Sequence, residues 1–283
     1  MGKNEIYSQY SSKNWLFKLI LSILKILAIK LNNSLCDYFG IRIKFSPTFE
    51  LLHKKSSFPH KVILPFSSYS PWTTNKKFQS VFKLAKKNTL VDEYRLYELH
   101  HLASQALKFG GDFIEIGVWR GGSSAIIANS VKNNQRNIKL KPTLYIADIF
   151  NGVAKAGSKY DNAYTGGEHS NSSIEDVKKL FAETYLELPI ILKGIFPDDH
   201  PNLDIPKISF IHSDVDAYKS TKDLIRWCLP RLTTPAIIVF DDYGFSSCEG
   251  VTKFVNEFMR ENNKKFTLIH NLNGHAIIFK HSR

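Results

Sequence analysis

At 283 residues and 43% hydrophobic content, the chain can bury one large core, or a core with an N-terminal appendage. Its three cysteines (Cys36, Cys228 and Cys248) are widely spaced with no C-x-x-C pair, which argues against a zinc module or disulfide framework and fits a reducing, cytoplasmic setting. A formal charge of +12 is compatible with nucleic acid, an anionic membrane or an acidic substrate, but the lysines are scattered and no nucleic-acid-binding motif is present, so no nucleic-acid partner is expected.

Residues 1–60 hold nine Lys/Arg against three Asp/Glu. Within them Trp15 to Leu31 is the most apolar stretch, and the pattern predicts a helix over 14–31 with Asn14, Lys18, Ser22 and Lys25 on a narrow polar stripe. The seventeen residues from Trp15 to Leu31 span about 25 Å at 1.5 Å per residue, short of a bilayer core, and lysines lie inside them. Lys25 and the lack of an A-x-A-like site also oppose a cleaved signal peptide. Two readings stand side by side: a helix lying in an anionic membrane interface, or one packed on the rest of the protein or a partner subunit. The breadth of the apolar face favours the membrane, and so a peripheral location at its inner face. Residues 61–90, with Pro65 and Pro71, read as a linker and irregular cover, and 91–283 as the catalytic domain.

From Val91 onward helices and strands alternate. Asp92 to Leu107 predicts a helix, and Phe113 to Ile116 a short buried strand. A glycine turn follows (Gly117 to Gly122), then a helix from Ala125. Gly117 and Gly121 let a ligand lie against bare backbone, and Ser123 and Ser124 are natural N-cap residues that leave amides free for a carboxylate. Glu115 at the strand end would repel a phosphate and suits an amino group or a sulfonium. Further strands are predicted at 143–148, 189–192, 207–212 and 236–240, with helices at 173–186, 220–228 and 249–262. A hairpin is predicted at 266–279. This order predicts an α/β, Rossmann-like sheet, mostly parallel, with helices on both faces and ligands beyond the carboxyl ends of the strands. A nicotinamide fingerprint is absent, since the spacing is E-x-G-x-x-x-G. Asp148, closing the second strand, can accept hydrogen bonds from both ribose hydroxyls of an adenosine.

Asp214 follows the fourth strand, and Asp241 and Asp242 follow the fifth. If these strands are neighbours, the three carboxylates converge and need a hard cation, Mg²⁺ or else Mn²⁺ or Ca²⁺, held by oxygen alone. Taken singly, each acid is as well explained as a helix-capping loop residue. His169 on a loop, Trp119 and Arg120 near the cofactor entrance, and a buried or basic His212 complete the candidates.

The ordered segments E-I-G-V-W-R-G-G-S, D-I-F-N-G, K-G-I-F-P-D, D-V-D-A-Y-K-S-T and V-F-D-D-Y-G resemble the macrocin O-methyltransferase (TylF-type) family over roughly residues 91–280. The resemblance implies a class I, S-adenosylmethionine-dependent enzyme with a seven-stranded sheet whose last strand is antiparallel, acting on hydroxyls of sugars or other natural products. It implies that Glu115, Gly117 and Gly121 hold the methionine end of the cofactor and Asp148 the ribose, with Ile149, Phe150 and Phe196 near the adenine. It matches Asp214, Asp241 and Asp242 to the metal-binding acids and Asp216 to the general base. The rival readings are a non-catalytic cofactor-binding module and a membrane-associated scaffold. The acceptor and any homo-oligomer are left open.

Overall fold

The computed structural model describes Leu27, Lys30, Leu31, Phe58, Pro59 and residues 67–134, 140–157, 159–161 and 163–282. Apart from Leu27, Lys30 and Leu31, the helix expected over 14–31 lies outside the described residues. No described helix is long and apolar enough to cross a membrane. The chain divides into two units, Met1–Phe49 and Glu50–Arg283, and the architecture below is that of the second.

In chain order the elements are α1 (Lys76–Ala85), α2 (Glu93–Ala106), β1 (Asp112–Ile116), α3 (Gly122–Asn134), β2 (Leu144–Asp148), α4 (Ile174–Glu183), β3 (Ile190–Lys193), β4 (Ile208–Ser213), α5 (Tyr218–Cys228), β5 (Leu232–Phe240), α6 (Glu249–Asn262), β6 (Phe266–His270) and β7 (Ala276–Lys280). The sheet order is β3-β2-β1-β4-β5-β7-β6. Strands β1 to β5 are parallel, and β7 enters between β5 and β6 antiparallel to both. The seven-stranded sheet with its antiparallel last strand is therefore as expected. Chain order reverses between β1 and β4, which opens a crevice at their carboxyl ends.

Side-chain alternation along the strands sorts the core into two layers. Phe113, Phe210, Ile237, Val239 and Ile277 face α1 to α4, whereas Ile114, Ile116, Ile211, Ile238 and Ile278 face α5 and α6. The helices start where side chains satisfy their free amides: Asn75 accepts from Phe78 N at 3.1 Å, Asp92 from Tyr94 N at 2.9 Å, and Ser173 from Asp176 N at 3.1 Å.

The segment expected to be irregular cover contains α1. Phe78, Val81 and Ala85 recur at helical spacing and are buried in the first layer. The prolines that hid this helix from a composition-based reading all precede it. The remaining differences are shifts of element ends. Of these, β5 is the largest, beginning at Leu232 rather than Ala236.

Candidate active site

The carboxyl ends of β1, β2, β4 and β5 surround a cavity of about 230 Å³. Gly117 makes the crevice narrow. Its φ is +83°, and a Cβ there would lie 1.7 Å from the carbonyl oxygen of Asp214. Only a glycine lets the turn after β1 rest on the chain leaving β4.

Asp148 organises the next turn. Its Oδ2 accepts from Val118 N at 2.8 Å and Trp119 N at 2.9 Å, and its Oδ1 accepts from Phe150 N at 2.6 Å. Burial, with a contribution from Glu115, holds its carboxyl above the ordinary value, while these three amides pull it down. Gly117, Ser123, Asp148, Ile149 and Phe196 all line the cavity, as do Trp119 and His169.

Three expected cofactor residues are not among those lining it. Glu115 shares the face of Phe113, so its carboxylate points towards α3. There it is fully buried, accepts from Ser124 Oγ, and pairs with His212 Nδ1 at 2.7 Å. Gly121 backs onto α4, where a Cβ would meet Val177 at 3.2 Å. Phe150 packs against the core layer under α1 to α4. Helix α3 begins at Gly122, which puts Ser123 and Ser124 in its first turn rather than at its cap.

The acids converge on the cavity. Asp214, Asp216, Asp241 and Asp242 all line it. Asp241, at the end of β5, points to the α2 side and is gripped by the buried Arg95 through Nη1. Arg95 Nε is 2.9 Å from Asp92. Burial opposes the charge on Asp241, but His275, Arg95 and His212 outweigh it and hold this carboxyl below the ordinary value. Burial likewise opposes the charge on Arg95, and Asp241, Asp92 and Asp242 restore it.

Asp214 and Asp242 are less well served: Arg95 Nη1 stands 3.9 Å from Asp242, and its pull on both carboxyls is outweighed by what surrounds them. Burial, with Asp241, Asp242 and Asp216 around it, pushes the Asp214 carboxyl well up. Burial, Asp241 and a hydrogen bond with Asp216 do the same for Asp242. Among the described residues, the triplets whose ligand atoms lie within 4.8 Å of one another are Asp216–Asp242–Cys248 and His212–Asp241–His275. Asp214, Asp241 and Asp242 do not form such a triplet, although all three line the cavity.

Four residues just beyond β1, β2, β4 and β5 (Trp119, Phe150, Asp216 and Asp242) have φ between 48° and 63°. Left-handed backbone at non-glycine residues costs about 1–3 kcal/mol each, and such strain gathers at functional sites. The loop after β2 closes the remaining side. Ser220 Oγ donates to Ala154 O at 2.7 Å, Lys155 Nζ pairs with Asp198 at 2.8 Å and Asp223 at 2.7 Å, and Trp119 Nε1 donates to Asn171 Oδ1 at 2.9 Å. Tyr164 from this loop reaches the acids, and its hydroxyl is pushed far up by burial and Asp216.

Sequence reasoning missed Arg95, Tyr164 and His275. For Arg95 a signal existed: it falls on the buried stripe of α2 with Leu96, Leu99 and Ala103, where a charge needs a partner. Tyr164 sits in a loop with no periodicity to place it.

The family description Macrocin-O-methyltransferase (TylF) matches residues 73–281. The enzyme 8-demethyl-8-(2,3-dimethoxy-alpha-L-rhamnosyl)-tetracenomycin-C 4'-O-methyltransferase of Streptomyces olivaceus is 29% identical over 57% of this chain and 64% of its own length, slightly under two thirds. Mycinamicin III 3''-O-methyltransferase of Micromonospora griseorubida is 27% identical over 57% of this chain and 67% of its own. The solved structure of the O-methyltransferase NovP superposes with a TM-score of 0.60 at 23% identity, covering 69% of this chain and 83% of that one, a likeness of fold. With the family match spanning most of the chain, this protein belongs to the TylF family of macrocin O-methyltransferases.

Proposed function

We propose that the chain transfers the methyl group of S-adenosylmethionine to a hydroxyl of a sugar or glycosylated natural product. The observation that carries this reading is the meeting, around one cavity, of the glycine turn and Asp148 with the carboxylates of Asp214, Asp216 and Asp242. The family membership and its sugar-modifying relatives support the acceptor class.

The residues present fit the cofactor. Asp148 offers a carboxylate to ribose hydroxyls, Ile149 and Phe196 offer an apolar wall to a base, and Gly117 and Ser123 border the remaining space. When bound, S-adenosylmethionine supplies a methyl group on a positively charged sulfur that leaves as a neutral thioether. They fit a divalent cation as well, since Asp216 and Asp242 are carboxylates in mutual contact, and the Arg95 guanidinium 3.9 Å from Asp242 is committed first to Asp241 and Asp92. A Mg²⁺-class ion held by Asp242, Asp216 and Asp214 would supply Lewis-acid character at the acceptor oxygen. In this reading Asp241 serves through Arg95 as an anchor rather than a ligand.

Asp216 then takes the proton of the acceptor hydroxyl, a role worth roughly 10²–10⁴ in rate. Its left-handed backbone (φ 59°) turns it out of the strand direction into the cavity. Tyr164 and the loop pinned by Lys155 exclude water and hold the acceptor against the cofactor half. Residues 14–31 remain candidates for anchoring the enzyme at an anionic membrane.

The test uses methyl-labelled S-adenosylmethionine, the full chain and glycoside fractions from the source cells. Label should pass to one species, gaining one methyl group by mass. Asp216→Asn should lower turnover at least a hundredfold while calorimetry shows unchanged S-adenosylmethionine binding. Failure of the native chain to bind the cofactor would sink the proposal.

A further inference from the structure

Donors around the acid half of the cavity are largely spent. Arg95 is bound to Asp241 and Asp92, and Lys155 Nζ lies between Asp198 and Asp223. Ser220 Oγ donates to Ala154 O, and Trp119 Nε1 donates to Asn171 Oδ1. Tyr164 differs. It lines the cavity beside His169, the two rings 5.9 Å apart, and its hydroxyl is met by the Cys248 thiol at 4.0 Å with the sulfur as donor. A phenol is un-ionised at neutral pH, and burial beside Asp216 keeps this one so. Its O–H therefore finds no strong acceptor among the described residues.

Cys248 fixes where that donor stands. The same thiol is 3.6 Å from Asp216 Oδ1, a better acceptor than a phenol oxygen. Burial, with Asp242 and Asp216, pushes the thiol pKa up, so the sulfur keeps its proton. The Tyr164 hydroxyl and the Asp216 carboxylate are thus no farther apart than those two spacings laid end to end. That leaves room for two neighbouring oxygens of one ligand, each hydrogen-bonded at about 2.8 Å. The loop that carries Tyr164 is closed at its neck: Val153 N donates to Glu168 O at 2.8 Å and Gly167 N to Val153 O at 3.1 Å. Nearer its tip, Tyr218 N donates to Asp161 Oδ1 at 2.9 Å. Tyr164 is therefore held in place before any ligand arrives.

We propose that Tyr164 determines which hydroxyl of the acceptor is methylated, its O–H donating to the acceptor oxygen next to the one that reacts at Asp216. This rests on the methyl-transfer reading above. A sugar ring carries several hydroxyls of similar reactivity, and one base cannot tell them apart, because a turned ring presents a neighbour in its place. A second polar contact at a fixed distance removes that freedom. A site built to hydrogen-bond a substrate oxygen discriminates more sharply than an apolar wall, since its own donor is stranded when the ring is wrongly turned.

The test compares the full native chain with Tyr164→Phe, which keeps the ring and removes the donor. The acceptor is the glycoside that the native chain labels, purified from the source cells, and the donor is methyl-labelled S-adenosylmethionine. The variant should keep its Tm and its affinity for S-adenosylmethionine. It should lose about two- to tenfold in kcat/KM for the glycoside, through KM. Its product should carry the methyl group on more than one oxygen, read by NMR, whereas the residual product of Asp216→Asn should keep the native position. A single methylated position in Tyr164→Phe, whatever its rate, overturns the assignment and leaves Tyr164 a cover against water. A fall in cofactor affinity overturns it too, by placing the hydroxyl on the cofactor. If the native chain labels no glycoside, the methyl-transfer reading itself fails and the role of Tyr164 falls with it.

Discussion

The two halves of the cavity differ in how completely the protein satisfies them. On the β1–β2 side Asp148 is buried, yet three backbone amides fill its oxygens and hold the turn after β1 in shape. On the β4–β5 side Asp214 and Asp242 are enclosed among like charges, and the one guanidinium nearby is committed first to Asp241 and Asp92. In the proposed reading the first half is preformed for the ribose hydroxyls of the cofactor. The second is built at a loss in stability that only a cation or a proton offsets, as expected of a site kept for chemistry.

Removing the one compensating charge sharpens that contrast most. Arg95→Gln leaves Asp241 buried without its guanidinium, and breaking a buried pair in this way costs about 3–5 kcal/mol. Urea unfolding of the variant should show a loss of that size. A loss below about 1 kcal/mol would mean that His212 and His275 already carry the charge of Asp241.

The preformed half should respond more mildly and in a different quantity. Asp148→Ala removes an acceptor for ribose hydroxyls and frees the amides of Val118, Trp119 and Phe150. Cofactor affinity should fall by about 1.5–3 kcal/mol, the range for hydrogen bonds to a charged group. Turnover at saturating cofactor should change little. If turnover fell and affinity held, Asp148 would belong with the acids.

Much of this was legible before any coordinates. Strand–helix alternation predicts the sheet, and the positions of Asp148, Asp214, Asp216 and Asp242 at strand ends predict which residues meet. The direction in which each side chain points was harder to read. Counting by twos from Phe113 sends Glu115 towards α3, and counting from Val239 sends Asp241 towards α2, so these two corrections were available from period-2 logic alone. What no pattern shows is left-handed backbone. Asp216 and Asp242 face the cavity through φ values of 59° and 63°, which follow from how the loops close rather than from residue type. The same holds for Tyr164, whose approach to the acids depends on a loop pinned by Lys155 and Ser220. Helix α1 was missed although Phe78, Val81 and Ala85 carry its period.

The smallest expected effect runs opposite to the usual sign of a substitution. The Asp242 carboxyl is held above its ordinary value of 3.8 by burial, by Asp241 and by its contact with Asp216. A carboxyl raised in the folded state binds more protons there than when unfolded, between the unfolded and folded values. Stability must therefore fall as pH rises through that window, and the deficit is complete once pH exceeds the folded value. Asp242→Asn removes the charge and keeps the shape, so at pH 7 the variant should be more stable than the native chain by about 0.5–2 kcal/mol, the range seen when a strained site is relieved. In a protein of this size that is about 2–4 °C in Tm per kcal/mol. Below the ordinary carboxylate value the native side chain is protonated in both states, and the gain should vanish. Millimolar Mg²⁺ should raise the Tm of the native chain at pH 7 and leave that of the variant unmoved. A variant less stable than the native chain at pH 7 would show that Asp242 is already compensated, and the contrast between the two halves of the cavity would fall with it.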